Sequence, residues 1–452
     1  MKIYLIGIGG IGVSALAQYY LSKGNEVSGS DLVASEITDS LKEKGIKIFI
    51  GNDVKNISKG LDLVIYSPAV GQSNQELLAA KELKIKCQSY PEALGELTKN
   101  HFTIAVSGTH GKSTTTSMIG LLLTKAGLDP TVIVGTKLKE FGDTNFRAGK
   151  SKYLVIEADE HFASFLNYWP KIIVLTSLEV DHLDYYKTLE NLLKTFKEYV
   201  GHLSKYKYGI LVANKDDKNI NEIINSHGQN GTPIFKVFSI NQFSIKQPEA
   251  QKLKEILQIP GEHNVYNALA ALTVARTLRI PEEVSFRSLS EYKGAWRRFE
   301  IKEGIIDDPP SPGASARRRK ITVVNDYAHH PTEVRVTLKA VREKYLGKNI
   351  LCIYQPHQYQ RTFYLFDEFV KVFCEVPIDK VIITDIYSVA GRESDEIKNK
   401  VNSEKLVKEV NRDNVIYVPL ADVEKFIKEN INSGDVLVIM GAGDIYNLSD
   451  KF

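Results

Sequence analysis

The sequence predicts an α/β protein of several domains, in which helices alternate with buried, mostly parallel strands. A glycine loop follows the first apolar strand, a second glycine loop with a lysine follows a later strand, and further polar clusters come directly after strands. Loops at the carboxyl ends of parallel strands are the usual ligand sites of open α/β sheets. A chain of 452 residues is also too long to fold around one hydrophobic core, so roughly two to four domains are expected.

The composition narrows the class of protein. Apolar residues make up 43% and charged residues 25% of the chain, as in ordinary globular proteins. A net charge of +3 gives no reason to expect a nucleic-acid partner, and the apolar runs predict no membrane insertion. Cys87, Cys352 and Cys374 are far apart and odd in number, which predicts reduced, buried thiols in a cytoplasmic protein. Because a strand begins at residue 2, no signal peptide is expected.

The first glycine loop has the sequence G-I-G-G-I-G at residues 7–12. It lies between a predicted strand at 2–6 and a predicted helix at 13–23, and a second strand at 26–29 ends in Ser30 and Asp31. This βαβ pattern predicts either a nicotinamide dinucleotide, with Asp31 on a ribose, or another diphosphate such as a UDP-sugar. The candidate substrate-binding residues here are Gly9, Gly10, Ile11, Gly12, Asp31 and Ser67, the last of which follows a third strand at 63–66.

The second glycine loop reads S-G-T-H-G-K-S at residues 107–113, between a strand at 103–106 and a helix at 114–126. Such a loop brings backbone N–H groups and a helix N-terminus towards phosphate oxygens. Lys112 would neutralise the β- and γ-phosphates of ATP, and the Ser113 hydroxyl would bind Mg²⁺. The pattern is shortened, since Val106 stands where the full phosphate-loop motif has glycine. The candidate ATP-binding residues are Gly108, Thr109, His110, Gly111, Lys112, Ser113 and Thr114.

Acidic residues follow two more strands of this segment. Glu157 comes after the strand at 153–156, and E-V-D-H-L-D at 179–184 comes after the strand at 172–176. Glu157 and His182 are therefore candidate magnesium ligands beside Ser113, with Glu157 favoured because magnesium prefers oxygen. The alternative is that the carboxylates cap the helices that follow. Lys194 and Lys197, on a later helix, are interpreted as a solvated face.

His263 and Asn267 come directly before an alanine-rich helix predicted over residues 268–278. Their spacing of four residues places them on one helix face. Both side chains can form hydrogen bonds with a purine edge or a ribose, so they are candidate nucleotide contacts.

The last segment predicts a third α/β unit. A strand begins near residue 297, its hairpin partner is predicted at 321–324, and residues 307–320 are predicted to form an exposed, mobile loop. The clusters N-D-Y-A-H-H-P at 325–331, Q-P-H at 355–357 and G-A-G-D at 441–444 again follow strands. Their positions predict a ligand-binding site at the carboxyl edge of this sheet, as in the first two segments.

Taken in order, these motifs resemble the Mur ligases of bacterial cell-wall synthesis. The resemblance implies a Rossmann-like UDP-sugar-binding domain at residues 1–99. A central P-loop ATP-binding domain with a mostly parallel sheet would follow at 100–296, and a Rossmann-like amino-acid-binding domain at 297–452. It also favours a UDP-sugar over a nicotinamide at the first loop. A monomer or a weak homodimer is expected.

The implied reaction joins L-alanine to the carboxylate of UDP-N-acetylmuramate, with ATP and Mg²⁺, in the synthesis of peptidoglycan precursors. The carboxylate would attack the γ-phosphate of ATP to give an acyl phosphate, and the amine would then attack that carbonyl. The resemblance implies catalytic roles for Lys112, Glu157, His182 and His329, nucleotide contacts for His263, Asn267, Asp326 and Arg298 (or its neighbour Arg297), and amino-acid contacts for His329 and Arg361.

Some positions depart from the family pattern and leave alternatives open. Gln358 stands where an arginine is usual, and Ser89, Tyr90 and Pro91 replace a usual Pro-Arg-Ala. Glycine, serine or a tripeptide therefore remain alternative acceptors to L-alanine. A nicotinamide oxidoreductase would leave the Lys112 loop without a role. A non-catalytic UDP-sugar-binding regulator would not need Lys112, Glu157 and His182.

Overall fold

The computed structural model describes residues 1–226, 238–307, 318–389, 393 and 395–452. These residues form three sheets and two compact units. The first unit comprises residues 1–179, 189–256 and 266–292, and the second comprises residues 180–188, 257–265 and 293–452. Within the described ranges, no helix is both long and apolar enough to cross a membrane.

The first sheet is formed by β1 (Lys2–Ile6), β2 (Glu26–Asp31), β3 (Lys47–Ile50), β4 (Leu63–Tyr66) and β5 (Lys86–Ser89). The strands lie in the order β3-β2-β1-β4-β5, and each pairing is parallel. The helices of this segment are α1 (Ile11–Ser22), α2 (Glu36–Glu43), α3 (Gln75–Glu82) and α4 (Tyr90–Lys99). The central strand β1 is a continuous apolar run that is buried from Ile3 to Ile6, as expected for a parallel strand covered on both faces.

The second sheet is formed by β6 (Phe102–Ser107), β7 (Thr131–Leu138), β8 (Thr144–Arg147), β9 (Tyr153–Glu157), β10 (Ile172–Leu175), β11 (Ile210–Asn214) and β12 (Ser239–Phe243). Its order is β12-β11-β10-β6-β9-β7-β8, with β8 antiparallel to β7 at one edge. The helices that follow β6 in the chain are α5 (Lys112–Lys125), α6 (Leu183–Tyr186), α7 (Leu189–Gly201), α8 (Lys218–Asn225), α9 (Pro248–Ile256), α10 (Glu262–Thr277) and α11 (Glu282–Ser290).

The third sheet is formed by β13 (Glu300–Asp307), β14 (Arg318–Asp326), β15 (Ile350–Tyr354), β16 (Lys380–Ile383), β17 (Val415–Tyr417) and β18 (Val436–Met440). Its order is β13-β14-β18-β15-β16-β17, and β13 pairs antiparallel with β14. The helices are α12 (Pro331–Lys344), α13 (Tyr359–Tyr364), α14 (Phe366–Glu375), α15 (Asp395–Lys398), α16 (Ser403–Val410) and α17 (Leu420–Asn430). Separate apolar clusters pack against this sheet, one with α12, α14 and α16 and one with α17.

The predicted α/β class with mostly parallel sheets is confirmed, and so is the hairpin of β13 and β14. Some predicted boundaries were wrong. Strand β2 continues to Asp31, and α10 begins at Glu262, so His263 and Asn267 lie inside the helix rather than before it. The loop predicted at 307–320 is shorter, because Asp307 pairs with Arg318 in the hairpin; residues 308–317 lie outside the described residues.

The cysteine prediction was correct for pairing and partly wrong for burial. Cys87, Cys352 and Cys374 are all free thiols, but Cys374 is exposed and Cys87 is half-buried. Cys374 follows the buried Phe373 on α14, so the next position around the helix faces solvent. Burial raises the pKa of the Cys352 thiol, which makes that cysteine a poor nucleophile.

Candidate active site

The phosphate loop lies at the carboxyl edge of the second sheet. Strand β6 pairs in parallel with β9 and β10, so Ser107, Glu157 and Leu175 end at the same edge. The loop then runs from Gly108 to the start of α5, and the Thr109 N–H donates to the Ser177 carbonyl at 2.8 Å. The predicted gathering of the loop and Glu157 at one edge is therefore present in the structure.

Two glycines of this loop are required by their surroundings. Gly108 has φ of +133°, and a Cβ there would lie 2.3 Å from Thr176 Oγ1. Gly111 has φ of +80°, and its Cβ would lie 2.3 Å from Asn267 Oδ1. Asn267 also accepts a hydrogen bond from Thr115 Oγ1 at 3.1 Å. The structure thus brings Asn267, a candidate nucleotide contact, directly against the phosphate loop.

Ser113 and Glu157 form a pair of oxygen donors beside the loop. The Ser113 hydroxyl donates to Glu157 Oε1 at 3.0 Å, and the Gly135 N–H donates to Glu157 Oε2 at 2.9 Å. Neighbouring ligands of an octahedral magnesium ion, each at about 2.0–2.1 Å, lie about 2.9 Å apart. The two oxygens therefore fit adjacent positions around Mg²⁺, and the contacts of Glu157 with Ser113 and Gly135 favour this interpretation over a helix cap.

Lys112 is held within its own loop by several acceptors. Its ammonium donates to the Gly108 carbonyl at 2.7 Å and to Glu160 at 2.9 Å and 3.0 Å. Burial alone would lower the pKa of Lys112, but the carboxylates of Glu160 and Asp159 outweigh burial and raise it. Lys112 is therefore positively charged at neutral pH, as neutralisation of phosphate requires.

The remaining loop residues anchor the loop to the segment that follows β10. The Glu179 N–H donates to Thr109 Oγ1 at 2.9 Å, and the His110 N–H donates to Ser177 Oγ at 3.2 Å. The His110 ring lies 3.5 Å from the Glu179 carboxylate. Thr114 is buried in the first turn of α5. Each of these contacts fixes the loop backbone in place.

The glycines of the first loop are approached by three side chains. A Cβ on Gly7 would lie 2.9 Å from Ser67, one on Gly9 would lie 2.9 Å from Asp31, and one on Gly12 would lie 2.8 Å from Tyr90. The Gly9 N–H also donates to Asp31 Oδ2 at 2.8 Å. The structure therefore groups the candidate substrate residues, and it gives Asp31 a further role in holding the loop.

Helix α1 connects the first loop to the second sheet. Gly10 is the N-cap of α1, and the Ile11 carbonyl accepts hydrogen bonds from Ser14 Oγ at 2.9 Å and from the Asn145 side chain. Asn145 lies on β8 and also accepts from Gln18 at 2.9 Å. The substrate loop and the phosphate loop thus belong to one compact unit.

The second unit contains a buried pair of Arg361 and Asp181. Arg361 Nε and Nη2 each lie 3.2 Å from Asp181 Oδ1. Burial alone would raise the pKa of Asp181, but Arg361 outweighs it and holds this pKa well below its usual range. Both residues line a small groove, together with His182 and Gln358.

His329 lies in the same unit as a partly buried, neutral imidazole. Its Nδ1 is 3.0 Å from the Tyr327 carbonyl and 3.2 Å from Glu333. Burial lowers the pKa of His329 to about 4, although Glu333 opposes that effect. A neutral ring whose Nδ1–H donates to a carbonyl keeps the Nε2 lone pair as an acceptor, which suits an ammonium or amine ligand.

Asp326 and the two arginines before β13 also have partners. The Asp326 carboxylate accepts from the Phe299 and Ala328 N–H groups at 2.8 Å each, and burial raises its pKa to about 6. Arg297 is buried, and its Nη2 donates to the Gly441 and Gly443 carbonyls at 2.9 Å. Arg298 lies over the Tyr327 ring at 4.9 Å. Asp326 and Arg297 therefore help to shape the backbone of this edge, besides any contact with nucleotide.

Two histidines complete the candidate set. The backbone of His182 is in the left-handed conformation, with φ of 52°. Its Nε2 lies 3.8 Å from Asp181 Oδ2. His263 packs against Gly261, where a Cβ would lie 2.5 Å from the ring. Both histidines belong to the second compact unit. That unit holds His182, His263, Arg298, Asp326, His329 and Arg361, whereas the first unit holds the remaining candidates.

Sequence reasoning assigned no role to four residues with clear contacts in these sites. Glu160 binds Lys112, Asp181 binds Arg361, Gly135 binds Glu157 and Tyr90 covers Gly12. The acidic motifs at 157–160 and 181–184 did point to the first two. Nothing in the local sequence singles out Gly135 as the donor to Glu157.

Comparisons with known proteins cover nearly the whole chain. Residues 2–102 match the model of the Mur ligase family, catalytic domain, residues 106–275 match the Mur ligase middle domain, and residues 314–443 match the Mur ligase, glutamate ligase domain. The UDP-N-acetylmuramate–L-alanine ligases of Clostridium acetobutylicum and Acetivibrio thermocellus are both 39% identical to the chain. These alignments cover 100% of the chain, with 97% of the first relative and 95% of the second.

A solved structure gives the same result for the fold. The UDP-N-acetylmuramate-alanine ligase of Thermotoga maritima superposes with a TM-score of 0.77 at 26% identity, over 100% of this chain and 98% of that chain. The α/β class and the order of the three family domains are thereby confirmed. From the full-length identity and the shared fold, we conclude that the chain belongs to the Mur ligase family.

Proposed function

We propose that this protein is the ATP-dependent ligase that joins L-alanine to the carboxylate of UDP-N-acetylmuramate in the synthesis of peptidoglycan precursors. Relatives with that activity in their names align with the chain from end to end at 39% identity. The observation that carries the mechanism is the phosphate loop, where charged Lys112 lies beside the oxygen pair of Ser113 and Glu157. A UDP-sugar-binding regulator would not need that arrangement.

The proposed chemistry has two steps. The substrate carboxylate attacks the γ-phosphate of ATP, and the bond to the β-phosphate oxygen breaks to give an acyl phosphate and ADP. The L-alanine amine then attacks the acyl carbon and loses a proton, and inorganic phosphate leaves. Phosphoryl transfer depends chiefly on alignment and charge neutralisation, which is the task of Lys112 and of the N–H groups of residues 108–113.

The proposed metal ion is Mg²⁺, held by Ser113 and Glu157, with His182 as the predicted third ligand. When bound, it supplies positive charge to the phosphate oxygens. Glu157 is held ready for this by the Gly135 N–H, which leaves its Oε1 directed at Ser113. The proposed nucleotide contacts remain the loop residues 108–114, Asn267, His263, Arg298 and Asp326.

The acceptor is proposed to bind in the second unit. The Arg361 guanidinium would pair with the amino-acid carboxylate, and the Nε2 lone pair of His329 would accept a hydrogen bond from its amine. The UDP-sugar is proposed to bind the first glycine loop with Asp31 and Ser67.

The direct test measures phosphate release by the purified full-length protein with ATP, Mg²⁺ and UDP-N-acetylmuramate. L-alanine, glycine, L-serine and a tripeptide are added in separate reactions, and the product is identified by its mass. We expect release that requires both co-substrates and strongly favours L-alanine. Release with another acceptor would move the substrate assignment, whereas no release with any acceptor would favour the regulator.

A matched pair of variants tests the role of the loop. Lys112 and Lys125 both lie on α5, but Lys125 is a surface residue paired with Glu291 at 2.5 Å. Lys112→Ala should abolish phosphate release, whereas Lys125→Ala should leave it unchanged. A separate titration with NADH and NADPH tests the oxidoreductase alternative, for which we expect no binding. The cytoplasmic location and the monomeric or weakly dimeric state stay predictions.

A further inference from the structure

The ammonium of Lys112 has an acceptor within the protein for each of its donors. It lies 2.7 Å from the Gly108 carbonyl, 3.3 Å from the Thr109 carbonyl and 2.9 Å from the nearer Glu160 oxygen. An ammonium group has three N–H donors. To bind the β- and γ-phosphates, Lys112 must therefore exchange at least one of these partners.

Glu160 is the partner that binds Lys112 most strongly. Its side chain is 1% exposed, while that of Asp159 is 57% exposed and lies 3.9 Å from the ammonium. A charge pair away from water interacts more strongly than an exposed pair, and each member is destabilised when the other is removed. Burial raises the pKa of Glu160 to about 8, but the adjacent Lys112 ammonium opposes this rise and favours the carboxylate form. In that form, Glu160 compensates the charge of Lys112.

The backbone after Glu160 is held in a strained turn that directs this residue back to the loop. Phe162 and Ala163 both have φ of 53°, which is unfavourable for residues with a Cβ. The Ala163 N–H donates to the Glu160 carbonyl at 2.8 Å, closing the turn. Such strain persists only where the surrounding structure requires it, and here it accompanies the placement of the Glu160 carboxylate on Lys112.

We propose that Glu160 is a positioning residue of the ATP site, whose carboxylate holds Lys112 folded onto its own loop until the phosphates of ATP replace it. This inference rests on the proposed function, because it takes ATP as the ligand of the loop. The phosphates and Glu160 compete for the same ammonium. Removing the charge of Glu160 should therefore lower the stability of the protein without nucleotide and raise its affinity for nucleotide.

The test compares the wild type, Glu160→Gln and Asp159→Asn as purified full-length proteins. Calorimetry measures the binding of the non-hydrolysable analogue AMP-PNP with Mg²⁺. Glu160→Gln should bind about tenfold more tightly, since a charge-assisted hydrogen bond no longer competes. Asp159→Asn, which removes a nearby exposed charge, should change the affinity by less than about threefold.

Thermal unfolding provides the second measurement. Without nucleotide, Glu160→Gln should unfold at a lower temperature than the wild type, and saturating AMP-PNP should reduce that difference. A residue with a merely structural role would lower the unfolding temperature without a gain in affinity. An unchanged or weaker affinity of Glu160→Gln would therefore overturn the proposal. If Glu160→Gln does not fold, Glu160→Asp tests the same point, with a smaller gain expected.

Two controls distinguish competition for Lys112 from magnesium binding by Glu160 and from a loop that binds no ATP. If Glu160 were a magnesium ligand, Glu160→Gln would weaken binding with Mg²⁺ but not in EDTA, and the proposal would be wrong. Turnover of the wild type with UDP-N-acetylmuramate and L-alanine is measured on the same preparation. Turnover without tighter binding by the variant would overturn this inference and leave the proposed function intact. A wild type that binds no AMP-PNP would overturn both.

Discussion

The two compact units each hold a buried cation against a buried carboxylate, but the two pairs have different geometry. In the first unit, the Lys112 ammonium is surrounded by acceptors, with Glu160 as the charged one. In the second unit, Asp181 uses one edge of the Arg361 guanidinium, formed by Nε and Nη2. The second edge of a guanidinium, formed by Nη1 and Nη2, can bind another carboxylate.

Because of this difference, a ligand must replace the protein carboxylate at one cation but can bind beside it at the other. At Lys112, an incoming phosphate must replace Glu160, so the protein partner opposes the ligand. At Arg361, an incoming carboxylate can join Asp181, so the protein partner orients the cation for the ligand. Arg361 Nη1 lies 3.4 Å from His357 Nδ1, which further fixes the guanidinium plane. Substitutions of the two carboxylates should therefore change ligand affinity in opposite directions.

The largest effect is expected from replacing the compact ammonium of Lys112 by the planar guanidinium of an arginine. In Lys112→Arg, the planar guanidinium cannot reproduce the contacts of the compact ammonium with Gly108 and Glu160, so phosphate release should fall about 10³-fold or more. Lys125→Arg, on the exposed face of the same helix, should keep the wild-type rate. If Lys112→Arg kept more than about a tenth of the activity, the distinction between the two cations would fail.

The second unit should respond to acid through His329. His329 is neutral in the folded protein because burial lowers its pKa to about 4, whereas an unfolded histidine titrates near 6.5. Its contribution to stability is complete above pH 6.5 and is lost as the pH falls from about 6.5 to about 4, for a total of about 3 kcal/mol. The free energy of unfolding in urea, measured at each pH with hydrogen exchange in α12 as the readout, should show this loss.

His329→Gln is the control for the acid response, because glutamine does not titrate in this range. The wild type should lose about 3 kcal/mol more stability between pH 7 and pH 4 than this variant. Equal losses in the two proteins would mean that His329 is not the group responsible.

A smaller effect is expected from the reverse substitution in the second unit, in which an arginine is replaced by lysine. Arg361→Lys keeps the charge but cannot serve Asp181 and a substrate carboxylate with separate edges, so the KM for L-alanine should rise about 100-fold. The KM for ATP should stay within about twofold. The matched control is Arg335→Lys, at an arginine that pairs with Glu375 at 3.6 Å. An equal rise in both KM values would contradict separate roles for the two cations.

The smallest effect is expected from Asp181→Asn, which leaves Arg361 in place but removes its orienting charge. The KM for L-alanine should rise about tenfold with little change in kcat, and Asp181→Glu should recover part of the loss. Asp379→Asn removes the carboxylate of another arginine pair, Arg342–Asp379, and should not affect KM. A lower KM in Asp181→Asn would mean that Asp181 competes with the substrate, as Glu160 is proposed to compete with ATP.

The sequence predicted the parts of the structure that depend on local patterns. The bounds of β1, β4 and β15 were correct because each strand is dominated by a run of apolar residues that a glycine or a polar residue ends. The start of α10 was placed too late, because the polar residues His263 and Asn264 were interpreted as preceding the helix. The phosphate loop and Glu157 were predicted together because parallel strands end at one edge.

The partners of the two cations could not be predicted in the same way. Glu157 and Glu160 belong to one acidic run, and nothing in that run indicates which of them contacts Lys112. Asp181 and Arg361 are 180 positions apart, so their pairing depends on tertiary packing. The Gly135 contact with Glu157 likewise follows from the pairing of β7 with β9, which no local motif encodes.

The buried pair at the phosphate loop also determines how Lys112 behaves as a chemical group. Acylating reagents attack the neutral form of an amine, and the ammonium of Lys112 is both charged and only 13% exposed. Most surface lysines, such as Lys194 on α7, lack that protection. In the nucleotide-free protein, the lysine of greatest functional importance is therefore among the least reactive, and a covalent inhibitor aimed at it would first have to displace Glu160.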